Sequence, residues 1–408
     1  MIIERKSPRH PRQGPSCLLI IFVTIGIAVS LFVIQNRDDV RNVIIPTPTP
    51  EPTRSATEYA VLAELSKEDG EVQEAIEFYE QALALDATKP EFFIRLIDLL
   101  VQKGESEKAV EKAEQATILA PENDKVWMAA AAAYLANGDR LSDQGDFSGA
   151  NIQYATAFQH ASRAQDINPE NATAMAYAAA GLVLQGNADL YEQAQELADT
   201  AIFLEPDNPI ARLYMATVFT YQGFYPAALE QYQLGLQTDP TNTDLHFGLA
   251  YNYYGDGRIS DAIISLEDAL AADPNNAAAY DGLAHMYMQL GDAPLAEKNA
   301  LEAVKLNPNI ARAQGRLGEA YFRQNNYFTA IPPLERAIEL YGEPSDLTAR
   351  FFNMLATAYI RNSLSQESCQ KAIPLFQQVL NVTFNELIIA GAQEGLDECR
   401  RVELENLP

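Results

Sequence analysis

Few residues of this chain are placed to do chemistry. The four histidines (His10, His160, His246 and His285) are scattered without metal-ligand spacing, and three cysteines are too few for a zinc cluster or a disulfide framework. No phosphate-cradling glycine loop, nucleophile elbow or paired-carboxylate site stands out from the background. The expectation is a protein that is not an enzyme and uses no metal or cofactor. The charged residues say more. Of the formal net charge of −27, residues 1–16 contribute +3 and residues 35–55 nothing, which leaves −30 on the rest. That excess argues against nucleic acid as a partner and against docking on an anionic bilayer, since both need basic patches. Arg212 and Arg258 are the only basic residues from Ala164 to Glu297, whereas Lys298–Arg361 holds eight basic and six acidic residues. Arginines in that second stretch can take carboxylates bidentately, with a salt dependence.

The elements that position these groups are set by a repeat. Prolines stand 34 residues apart at Pro206, Pro240, Pro274 and Pro308, glycines keep step at Gly223, Gly257 and Gly291, and alanines at Ala228, Ala262, Ala296 and Ala330. Each unit reads as two short helices. In Ala277–Ile310 the first helix carries Tyr280, Leu283, Ala284 and Tyr287 at i, i+3, i+4 and i+7, one helical face. Gly291 then ends it, and Asn307–Pro308 stops the second helix, whose Ala296, Ala300 and Ala303 share a face. Neither helix can bury its apolar face alone, so neighbouring units must cover it.

This pattern resembles the tetratricopeptide repeat (TPR), with its aromatic, Leu-Gly, Tyr, Ala, aromatic, Ala and Pro positions. Units 209–242, 243–276, 277–310 and 311–342 match best; in the last, Leu317, Gly318, Tyr321, Ala330 and Ala337 fit while Asn325 replaces the turn glycine. Units 56–89 and 90–123 precede them, and Trp127 takes the signature aromatic position of a third unit, 124–171. That unit is 14 residues longer than 34, split as seven and seven, so both of its helices are expected to gain about two turns. The fourth unit (172–208) has extra residues near Asn187–Leu190, the ninth (349–381) near Ser363–Glu367, and Phe384–Arg401 reads as a capping helix. The resemblance implies an all-α TPR solenoid of about nine repeats, spanning 56–381, with a capping helix and tail over 382–408.

In TPR proteins the first helices line a concave groove. Carrying the groove positions over gives an aromatic zone of Leu213, Tyr221, Phe247, Tyr251, Tyr254, His285 and Met288. A second zone holds Arg312, Arg316, Arg323, Arg350, Asn353 and Arg361. The resemblance implies an extended peptide with apolar side chains on the first zone and carboxylates on the second. A chaperone-tail receptor is not implied, because Asp281 and His285 stand where its carboxylate clamp needs Lys and Asn. Cys369 begins the second helix of the last unit and Cys399 ends the capping helix, so antiparallel packing brings them to the same end. They are either bridged or two separately buried thiols.

Before the array, Leu18–Ile34 is 17 residues without a charge, on the order of 25 Å as a helix. No small-x-small site follows Ile34, which favours a transmembrane anchor over 17–34 against a cleaved signal peptide. Arg5, Lys6, Arg9 and Arg12 precede it, against Arg37 and Arg41 after it. The positive-inside rule keeps the basic segment 1–16 cytoplasmic and sends the array across the membrane. Residues 35–55 hold four prolines within Ile45–Thr53 and read as a stiff Pro/Thr-rich linker. The expected function is a membrane-tethered scaffold that binds a protein or peptide on the extracytoplasmic side. A glycan-binding accessory of polysaccharide secretion is the alternative, with Tyr251 and Tyr254 stacking on sugars.

Overall fold

The computed structural model describes residues 17–35, 54–144 and 146–405. The expected basic segment (1–16), most of the linker (36–53) and the tail beyond residue 405 lie outside the described residues. Two compact units divide the chain, Met1–Ser55 and Ala56–Pro408.

In the first unit the described structure is one helix, Cys17–Gln35. Thr24 and Ser30 turn their hydroxyls back onto the carbonyls of Ile21 and Gly26, at 2.9 and 2.8 Å, so these two polar side chains are satisfied within an otherwise apolar stretch from Ile21 to Phe32. Among the described residues no helix is long and apolar enough to cross a membrane. The helix has the expected extent; the transmembrane assignment is not shown.

The second unit is helical throughout its described residues, a run of antiparallel helix pairs. Local chemistry sets their phase. Asn208, Asn242 and Asn276 cap the first helices Pro209–Tyr221, Thr243–Gly255 and Ala277–Leu290 through their side-chain oxygens. Gly291 closes the last of these with φ +78, in the left-handed region. In the eighth unit Asn325 does the same with φ 59, the one non-glycine residue with positive φ among the described residues. Ala228, Ala262, Ala296 and Ala330 have no exposed surface. Their small size lets paired backbones close up, while neighbouring units share clusters such as Ala250, Leu266, Ala279, Leu283 and Met286.

The long third unit has helices Asp124–Asp143 and Phe147–Ile167, of 20 and 21 residues, against 13 and 14 in the fifth unit. Both helices gained about two turns, as their spacing required. The fourth unit's extra residues form a short 3-10 turn, Ala188–Leu190. The final helix, Glu386–Glu405, covers the ninth unit. There Cys369 and Cys399 form a disulfide with a Cα–Cα distance of 5.4 Å, which selects the bridge over two free thiols.

Candidate functional site

From the second unit to the sixth, and again from the seventh to the ninth, first helices of consecutive units touch each other as well as their own second helices, while no comparable contact joins the second helices. The first helices therefore form the crowded inner wall of the curve. On it, the sixth and seventh units bring four of the expected residues together. Phe247 and Tyr251 have ring centroids 4.8 Å apart, and His285 lies 5.0 Å from Tyr254 and 6.4 Å from Tyr251. Burial, then Arg316, lower the His285 imidazole to about 4, so it is neutral near pH 7. Tyr221 sits apart, 45% exposed and edge-on to Tyr191. Met288 is buried with Ala296 and Ala320 in the core rather than on the wall, because its turn lies against the next unit.

The arginines are arranged differently from the expectation of free partners for a ligand's carboxylates. Arg316 is almost fully buried, and its guanidinium is paired with the carboxylate of Asp281, a residue with no exposed surface. It also donates to the Asp281 carbonyl at 2.9 Å. Arg312 Nε donates to the same carboxylate at 2.5 Å while its Nη1 meets Asp143. Arg323 pairs with Glu319 at 2.6 Å. Arg350 lies over the Phe351 ring, 4.5 Å from its centroid, with Glu319 at 4.0 Å. Arg361 reaches Glu398 of the final helix at 3.3 Å. Asn353 packs under that helix, where a Cβ on Gly391 would approach its amide at 3.2 Å. The arginine zone is thus a ladder of ties between units seven, eight, nine and the cap.

Carboxylates without a paired cation also stand on the wall. Asp98, Asp139 and Asp244 are exposed on the first helices of the second, third and sixth units. Water reaches them, yet protein surrounds them on several sides. That crowding pushes Asp98 up to about 6 and Asp139 up to about 7, and raises Asp244. Asp139 accepts from the Tyr154 hydroxyl at 2.8 Å. Tyr177 and Tyr214 meet edge-on at 5.8 Å. Burial, then Asp98 and Asp244, raise the Tyr177 phenol, and burial, then Tyr177, Asp244 and Asp139, raise that of Tyr214.

Asp139, Asp143 and Asp244 were the residues that motif reading passed over, and it met Asp281 only as a departure from the carboxylate clamp. Asp281 did carry a signal, since it occupies a groove position one unit before Arg312. Asp139 and Asp143 fall in the two added turns of the third unit, for which the 34-residue frame has no position.

A stack of helix hairpins with first helices along its inner wall is an α-solenoid. Models described as "Tetratricopeptide repeat" match residues 67–132 and 219–284, and 178–243 and 282–346. The chain belongs to the tetratricopeptide repeat family, whose members mediate protein–protein interaction. No curated protein matches it in sequence. Among solved structures it is similar to the human IFIT1 dimer with m7Gppp-AAAA, with a TM-score of 0.60 and 16% identity over 88% of this chain and 92% of that one. It is also similar to Pseudomonas aeruginosa pilF (TM-score 0.47, 18% identity, 58% of this chain and 99% of that one). Yeast Tom70 follows (TM-score 0.41, 17% identity, 86% and 89%). At these identities the likeness extends to the fold alone, and the RNA belongs to IFIT1.

Proposed function

We propose that the chain is a non-enzymatic scaffold, held to a membrane by the Cys17–Gln35 helix, whose inner wall receives a protein segment on the extracytoplasmic side. The observation that carries the reading is the charge of that wall. Arg312, Arg316, Arg323 and Arg361 pair with carboxylates of the array and Arg350 lies 4.0 Å from Glu319, whereas Asp98, Asp139 and Asp244 have no cation paired with them among the described residues. First helices of the same array also carry Tyr177, Tyr214 and the Phe247–Tyr251–Tyr254–His285 cluster. A segment with lysine or arginine side chains interleaved with apolar ones matches that surface; the carboxylate-bearing peptide expected from the sequence does not. The disulfide supports an oxidising compartment for the array, in line with the basic residues before the N-terminal helix.

A photo-crosslinking residue at Tyr214 of the full chain, activated in native membranes, tests this. The crosslinked peptide is expected to carry more Lys and Arg than Asp and Glu. An acidic peptide or a sugar adduct at that position would refute the reading, the sugar favouring the glycan alternative.

A further inference from the structure

We infer that Arg312 closes the array on itself across five units. Two contacts between distant parts of the chain carry this. Arg312, near the start of the eighth unit's first helix, donates to Asp143 at the end of the third unit's first helix, 169 residues earlier. Separately, a Cβ built on Gly104 in the turn of the second unit would stand 3.8 Å from the side-chain amide of Asn307, which ends the seventh unit. The second unit meets the seventh and the third meets the eighth. Both crossings have the same offset of five, as one full turn of a superhelix requires.

The long third unit explains the reach. Its first helix has 20 residues against 13 in the eighth unit; the seven extra residues add about 10 Å, and Asp143 is the last of them. Arginine suits the junction because its planar guanidinium offers donors on separate edges. Nε serves Asp281 within the neighbouring unit, and Nη1 serves Asp143 across the turn. Lysine has one ammonium head and cannot span both in that way. The closure concerns the shape of the inner wall and holds whatever the wall receives. A partner then reaches the wall from an end of the closed turn, or after the Arg312–Asp143 pair has parted.

The test measures distance directly, by double electron–electron resonance on the full chain in detergent micelles. Spin labels sit at Lys108→Cys and Lys305→Cys, exposed side chains of the second and seventh units, with Cys17→Ser to leave no other free thiol. The closed array gives one narrow distance population. Asp143→Asn is expected to lose it in favour of a longer, broader one, and Asp143→Glu, which keeps the carboxylate, to retain it. A broad population in the parent, an unchanged one in Asp143→Asn, or equal broadening in both variants would each overturn the inference.

Discussion

The Arg316 guanidinium and the Asp281 carboxylate form an ion pair that is almost wholly out of water, joining the eighth unit to the seventh. Burial alone would raise Asp281, but Arg316 and then Arg312 outweigh it and hold the carboxyl below its ordinary value. Asp281→Ala leaves Arg316 buried without its counter-ion and is expected to cost about 3–5 kcal/mol. The double variant Asp281→Leu/Arg316→Met, apolar and of similar volume, is expected to recover most of that loss. Urea unfolding followed by circular dichroism reads both. An unchanged midpoint for Asp281→Ala would show that the pair is not a structural tie.

The cap depends on its bridge. Cys369 and Cys399 close a 30-residue span, for which the chain-entropy account gives about 3–4 kcal/mol. Because stability in a repeat array is local, the effect belongs to the final helix. In Cys369→Ala/Cys399→Ala, amides of Glu386–Glu405 are expected to exchange at least about 100-fold faster, with those of the sixth unit unchanged. Uniform acceleration along the array would contradict this.

Asp139 gives a pH dependence of defined sign. Its folded carboxyl titrates at about 7, above the ordinary value of 3.8, from crowding first and then the charges of Asp143 and Asp244, against the Tyr154 hydrogen bond and Arg312. The folded state therefore holds the proton more tightly, and its contribution to stability falls as pH rises from about 4 through 7. Asp139→Asn removes that penalty while its carbonyl oxygen still accepts from Tyr154. The variant is expected to melt higher than the parent at pH 8, by about 1 kcal/mol after allowing for water at the group, and alike at pH 4. A lower melting temperature at pH 8 would show that the charge is favoured where it stands.

Gly181 marks a close approach between the third and fourth units. A Cβ there would meet the Phe158 backbone nitrogen at 2.7 Å and the Tyr154 carbonyl oxygen at 2.8 Å. Backbone cannot rotate aside as a side chain can, so Gly181→Ala is expected to cost about 1–3 kcal/mol despite alanine's better helix propensity. A more stable variant in thermal unfolding would contradict the tight packing.

The repeat was legible because its marks are local. Prolines, turn glycines and alanines recur at 34 residues, and even the exception at Asn325 keeps the left-handed turn. The added turns of the third unit were legible for the same reason, since helices lengthen in whole turns to keep their apolar faces in phase. The aromatic cluster followed from groove positions alone, because those rings meet within one unit or the next. The partners of the arginines did not follow from that logic. A long side chain at a groove position can reach the preceding unit, and the frame says which way it starts, not what it finds. Arg316 finds Asp281, and Arg312 finds a carboxylate that only superhelical closure brings near.

The polarity of the inner wall is tested most directly by titrating the full chain in detergent with two labelled peptides of equal length, one alternating Lys with Leu and the other Glu with Leu. The lysine peptide is expected to bind, to weaken as salt rises, and to lose at least about tenfold in affinity to Asp139→Asn/Asp244→Asn. Preferential binding of the glutamate peptide, abolished by Arg350→Ala, would contradict the account and restore the arginines to the role their sequence positions first suggested.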